Sequence, residues 1–430
     1  MSLIKISVTL GAALYSCIAL SAQAESDGII EGGSARLLLR NYYFNRDFRD
    51  TPSDKQSYRE EWAQGVMAFY SSGYTPGPVG LGFDVYALLG LKLDSGRGTS
   101  GTGLLPLGER GRAEDNYSST GAALKVQISS TQLRFGRQQV DAPVFSTADS
   151  RLLPETATGL LVSSQEWDSL RLELGHFTAE KKRNSTNSDD ELIINYGSGQ
   201  PGGSIDFVGG AYTFSKHLSA TFYTSRLENT WRQHYANVNW VLPLSAKQSV
   251  SFDMNVYHTS EMGKALQGQI NNTTYSLAGT YQRGPHRVML AFQNVDGDTP
   301  FDYVGGDSIF LANSITYSDF NGAEERSYQL RYDIDLSAVA TPGLSLMGRY
   351  VYGDHIDGSN ADAGGGYVGL QSSGGRHWER NFEVRYVVQE GPAKDLSVRL
   401  RQATHRANAA QGEGDIDEVK VIFEYPLQIL

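Results

Sequence analysis

The chain is almost without cysteine. Its single one, Cys17, lies in an apolar N-terminal stretch that reads as a removable leader, so the mature protein is expected to have none. That excludes a disulfide framework and thiolate metal centres. Long hydrophobic runs are missing too. Beyond residue 24 no segment reaches the 18 or more apolar residues of a membrane-spanning helix. This leaves a β-barrel open, because its strands turn only every second residue to lipid. A surplus of positive charge is also absent. Thirty-seven Lys and Arg stand against 48 Asp and Glu, a net charge of −11, which argues against nucleic acid as a partner. No G-x-S-x-G elbow or phosphate-binding fingerprint occurs, and no histidine pair has zinc-ligand spacing along the chain. The expectation is a protein with neither catalysis, cofactor nor metal; a Ser-His-Asp hydrolase site built around Ser308 and His176 is the enzymatic alternative.

The leader has a positive start at Lys5, an apolar stretch from Ile6 to Leu20, and a small-x-small site at Ala22-Gln23-Ala24. It predicts a secreted chain with a signal peptide over 1–24 and one domain over 25–430.

What the mature chain has in abundance is period-two alternation. Apolar and polar residues trade places along Leu124-Lys125-Val126-Gln127-Ile128, Leu170-Arg171-Leu172-Glu173-Leu174 and Val250-Ser251-Phe252-Asp253-Met254-Asn255-Val256. The pattern continues through Tyr328 to Ile334, Phe382 to Tyr386, Val398 to Arg401 and Val419 to Tyr425. Such strands have one apolar and one polar face. No helical domain is available to cover the apolar faces, and a closed barrel in lipid satisfies both faces and leaves no edge. Twenty-four tyrosines and 17 phenylalanines suit aromatic girdles at two membrane interfaces. Connections alternate in length. Short ones include 283–286, 341–343 and 390–394; long polar ones include 94–116, 181–190, 296–321 and 353–375. At roughly 45 residues per hairpin the mature length makes ~18 strands. The expected fold is all-β, a transmembrane antiparallel β-barrel without a plug domain, and the 181–190 loop is expected outside.

Several stretches resemble OprD-type outer-membrane porins, also called outer membrane carboxylate channels. They include Leu38-Leu39-Arg40-Asn41-Tyr42-Tyr43-Phe44-Asn45-Arg46-Asp47, Glu61-Trp62-Ala63-Gln64-Gly65, Leu91 to Gly96 and Ser150-Arg151-Leu152-Leu153-Pro154-Glu155-Thr156. Gly305 to Ser314, Gly391 to Ser397 and Tyr425-Pro426-Leu427 match as well. The resemblance spans essentially the whole mature chain. It implies a Gram-negative outer-membrane address, 18 strands, and a monomer or loose trimer in contact with lipid and lipopolysaccharide. It also implies that loops 3 and 7 fold inward, and that a ladder of basic side chains guides small carboxylates. Amino acids and small peptides are favoured over aromatic acids, on the acids of loop 7; a non-specific porin of the same fold is the alternative.

Strand parity points to ladder candidates Arg385, Arg399, Arg401 and Lys420, with Arg331, Arg349, Lys125, Arg134, Arg36 and Arg40 behind them. A mid-membrane Arg or Lys on the lipid face would cost about 2–4 kcal/mol, which favours the lumen. By the same parity Leu400 should face lipid and Arg401 the lumen. The resemblance puts the constriction at Arg151 in loop 3, Tyr196 at the end of a later strand, and Asp307, Ser314, Tyr317 and Asp319 in loop 7.

Overall fold

The computed structural model describes residues 28–430 except 50, 97 and 339. The leader therefore lies outside the described residues. The strands are β1 Ser34–Phe48, β2 Tyr58–Ser71, β3 Gly80–Asp94, β4 Asn116–Ile128 and β5 Thr131–Gln138, then a small hairpin, β6 Asp141–Ala142 and β7 Phe145–Ser146. Next come β8 Thr156–Trp167, β9 Leu170–Lys181, β10 Ile205–Ser215, β11 Leu218–Leu227, β12 Trp231–Ser245, β13 Gln248–Glu261 and β14 Asn271–Arg283. The last six are β15 His286–Asp296, β16 Arg326–Asp335, β17 Leu344–Ile356, β18 Gly375–Val387, β19 Ser397–Ala407 and β20 Ile416–Gln428. All but β6 and β7 form one 18-stranded sheet of antiparallel neighbours. β1 pairs with both β2 and β20, which closes the sheet and satisfies every edge.

The alternation in the sequence becomes the two faces of the wall. On β19 Leu400 is 45% exposed on the outside, while Arg399 and Arg401 face the cavity within. Leu172, Leu174, Val208, Phe222, Met254, Leu290, Leu330 and Phe382 share the outer face. Short turns gather at one end of the barrel. Gly284, at φ +56, starts one of five two-residue turns there, with Pro285, and an L side chain at that position would be strained. The start of β1 and the end of β20 meet at that same end, where Ala35 bonds to Leu430. The long connections are at the other: loop 2 (95–115), loop 4 (182–204), loop 7 (297–325) and loop 8 (357–374).

Parity alone does not describe the inner face. Phe177, Phe207, Tyr223, Tyr235 and Tyr257 point inward and are buried, because Val140, Val144 and Phe145 of loop 3 (139–155), Leu192 and Ile194 of loop 4, and Phe301, Tyr303 and Val304 of loop 7 pack on them. A second cluster sets Leu152 and Leu153 against Tyr42, Phe44, Met67 and Leu88 of β1–β3. The hydrophobic cores thus lie inside the barrel, between wall and infolded loops. β5, only 8 residues long, releases the chain early into loop 3.

Candidate solute pathway

Three infolded loops are stitched to one another and to the wall by buried polar contacts. Arg40, 5% exposed, forks onto Asp149 at 2.6 and 3.1 Å, donates to the Arg151 carbonyl at 2.8 Å, and pairs with Glu424 at 2.7 Å. Its role is to hold loop 3 against β1 and β20. Glu155 accepts from the Ala148 and Gly306 amides, both at 3.0 Å. A Cβ on Gly306 would stand 2.4 Å from Glu155, so only glycine permits this approach of loop 7 to loop 3. Ser308 is fully buried and donates to the Val304 carbonyl at 2.6 Å. His176 sits on the outer face of β9, half exposed and bonded to Asp206 at 2.6 Å. The barrel wall separates it from Ser308, so the structure does not assemble the hydrolase pair considered from sequence.

The main cavity, about 4280 Å³, runs from the short-turn mouth to loops 3 and 7. Five of the ten residues singled out from sequence line it: Arg385, Arg399, Arg401, Asp307 and Ser314. Arg331 and Arg349 continue the row onto β16 and β17, where they stand opposite each other in register, as do Arg385 and Arg399. Arg331 forks onto Asp333. Glu383 is shared between Arg401 and Arg399, the latter at 3.7 Å. Among the described residues Arg349 donates to neutral acceptors, Asn381 at 2.9 Å and Thr316 of loop 7 at 3.1 Å. Among the described residues neither Arg349 nor Arg385 is ion-paired. Lys125 and Arg134 reach the cavity from the other side and share Asp84. Arg36 lies over the Phe69 ring.

Facing the arginines are acids on the loops: Asp141 and Asp149 of loop 3 and Asp307 of loop 7. Enclosure within the pore, together with Asp141 and Glu155, pushes Asp307 up to about 6 although its side chain stays open to the lumen. Sequence reading missed Asp141 and Asp149, because nothing local marks an acid that a distant loop will aim into a pore.

The other five candidates do not line this cavity. Arg151 and Lys420 lie over the buried Phe44 ring, at 5.4 and 4.6 Å, with Arg46 as a third cation at 5.4 Å. Lys420 is 3% exposed and paired with Glu418 at 2.7 Å. Tyr317 takes Arg46 over its ring at 4.8 Å, and its amide binds Glu379 of β18 at 3.1 Å. Tyr196 needs a correction: it lies within loop 4, well beyond the end of β9, not at a strand end. Loop 4 turns inward there by bridging Ile194 to Val304. Tyr196 and Tyr303 donate to Asp319 Oδ2 at 2.5 and 2.7 Å, and Ser314 donates to Oδ1 at 2.6 Å. Both oxygens of Asp319 are therefore engaged within the loops. Asp302, buried, accepts from the amides of Asn195, Tyr196, Gly197 and Tyr303 and from Tyr367 of loop 8. Those donors lower its pKa, but burial outweighs them and pushes it up to about 6.

Spacing along the chain says nothing of one cluster that the fold assembles. Antiparallel pairing of β18 and β19 brings His377 and His405, 28 residues apart, within hydrogen-bonding distance, and Glu413 of the 408–415 loop joins them.

A family model described as outer membrane porin, OprD family, matches residues 27–429. Porin D of Pseudomonas aeruginosa is 49% identical over 96% of this chain and 94% of its own length. The crystal structure of the outer membrane protein OprD from the same organism superposes with a TM-score of 0.84 at 47% identity, covering 95% of this chain and 97% of that one. A structure of Pseudomonas aeruginosa OpdK with vanillate superposes with a TM-score of 0.84 at 36% identity, covering 93% and 100%.

Proposed function

Because the chain belongs to the OprD family of outer-membrane porins, we propose that it admits small carboxylate-bearing solutes, amino acids and short peptides foremost, down their own gradient. It is a channel of the Gram-negative outer membrane. The observation that carries the substrate reading is the arginine row. Arg331, Arg349, Arg385, Arg399 and Arg401 line one water-filled wall, and acids on loops 3 and 7 line the other. A zwitterion presents its carboxylate to the first and its ammonium to the second. Arginine offers a planar fork to a carboxylate, and each contact in water is worth only about 1 kcal/mol. Contacts that weak let a solute leave as readily as it enters. Arg151 and Lys420 extend positive potential toward the long-loop end. Tyr196 and Asp319 set the aperture through the loops. No catalytic step or cofactor belongs to this reading, and one chain encloses the whole lumen, so a monomer suffices for transport.

Liposome swelling with zwitterionic amino acids, simple carboxylates and neutral sugars of matched size tests it. Amino acids should enter faster than sugars, and the advantage should shrink at high salt. Entry sorted by size alone would make this a non-specific porin. Aromatic acids are the second substrate class, favoured by the vanillate in the related OpdK structure. Faster entry of benzoate-type solutes than of amino acids would select them.

A further inference from the structure

Where β18, β19 and the 408–415 loop meet, near the long-loop end, three ligand atoms converge. His377 Nδ1 and His405 Nε2 are 2.9 Å apart. Glu413 Oε2 lies 3.6 Å from the first and 3.2 Å from the second. Both imidazoles are fully buried. The far side of each ring is already assigned. His377 Nε2 lies 2.7 Å from Glu325 Oε1, a buried carboxylate that accepts its proton. His405 Nδ1 donates to the Gly414 carbonyl at 3.0 Å. With those protons placed, the inward nitrogens of both rings carry lone pairs, and Glu413 Oε2 adds a third acceptor. That oxygen is buried, and with the ring protons so placed it has no donor.

A single proton serves only one of these contacts: on His377 it leaves the Glu413 oxygen without a donor, and on His405 it reaches either that oxygen, at 3.2 Å, or the His377 lone pair. Two protons cannot fit between nitrogens 2.9 Å apart. A divalent ion satisfies all three and balances the two carboxylates. The geometry points to a divalent transition-metal site of the zinc class, held by His377 Nδ1, His405 Nε2 and Glu413 Oε2. Zinc–nitrogen bonds of about 2.0–2.1 Å in a tetrahedron put ligand atoms about 3.3 Å apart, which the three separations bracket. Glu325 and the Gly414 carbonyl are the outer partners that metal-bound imidazoles characteristically keep. Phe320 and Tyr317 of loop 7 close over the rings, at 4.2 and 4.9 Å between centroids. The ion would therefore pin the 408–415 loop to the barrel wall under the root of loop 7, as a staple rather than a catalyst.

The test uses the mature barrel in detergent, stripped with a chelator, and Zn2+ alone as the probe. Competition with a chromophoric chelator should show one Zn2+ per chain bound at micromolar affinity or tighter. His405→Gln should abolish this binding. Glu413→Gln, in a loop and so harmless to folding, should weaken it at least about tenfold, and Glu325→Gln about 10–100-fold. Co2+ at the same site should give the intense visible bands of four-coordination, lost in His405→Gln. Heat-modifiable gel mobility confirms that each variant is folded. Failure to hold one equivalent of Zn2+, or equal binding by folded His405→Gln, would overturn the site and leave a proton-sharing histidine pair.

Discussion

Replacing Arg399 and Arg401 together with glutamine perturbs the row where its electrostatics are simplest. The two guanidiniums share Glu383, so the trio has one net positive charge. The double variant turns that to one net negative charge, a change of two units. A unit charge 5 Å from a passing carboxylate in water contributes about 0.8 kcal/mol. Two such charges, attenuated with a Debye length of about 10 Å at 0.1 M, sum to about 1 kcal/mol. That is about a fivefold fall in local carboxylate occupancy and in its uptake. Adding Glu383→Gln restores half of the lost charge, so the triple variant should fall only about twofold. At 1 M salt, where the Debye length is about 3 Å, the double variant's deficit should shrink below about twofold. Stability should change little, because these half-buried pairs border the lumen, where an ion pair contributes about 0–1 kcal/mol. The assay is liposome swelling with a carboxylate and with a neutral sugar of the same size, alongside the heat-modifiable gel shift. Equal losses for both solutes, or no loss for either, would refute the reasoning, and so would a triple variant worse than the double.

Three further outcomes follow from particular residues. No cysteine occurs among the described residues, so Cys placed at 401 should react with a water-soluble thiol reagent and Cys at 400 in the lipid-facing wall should not; equal labelling would break the parity assignment. Asp307, pushed up to about 6, is charged at pH 7.5 and neutral at pH 5, so uptake of cationic amino acids should fall about two- to threefold on acidification through that range. Asp307→Asn should remove the step, and an unchanged pH profile would discard Asp307 as a binding acid. Asp319→Ala strands the hydroxyls of Tyr196, Tyr303 and Ser314, at about 1 kcal/mol apiece. Single-channel current should become larger and noisier while the barrel stays folded; a quiet, unchanged trace would mean these contacts do not set the aperture.

The sequence by itself determined the wall. A strand has a period of two, lipid accepts only apolar side chains, and a closed sheet has no edge. Alternation therefore gave the all-β class, the lumen face of Arg385, Arg399 and Arg401, and the lipid face of Leu400. Turn chemistry at Gly284-Pro285 and the alternation of short and long connections gave the two ends of the barrel. The pore's interior furnishings were not legible in the same way, because they depend on contacts between residues far apart in the chain. Arg40 has the parity of a ladder rung, yet loop 3 arrives over a hundred residues later and occupies it through Asp149. Lys420 is likewise drawn into a buried pair with Glu418 over Phe44. Inward aromatics such as Tyr257 break the simple alternation because loop 7 needs an apolar seat inside the barrel. Tyr196 and Asp319 meet only once loops 4 and 7 both fold inward. His377 and His405 become neighbours only through the register of β18 on β19. Local periodicity encodes which way a side chain points; only the closed barrel with its infolded loops decides what it meets there.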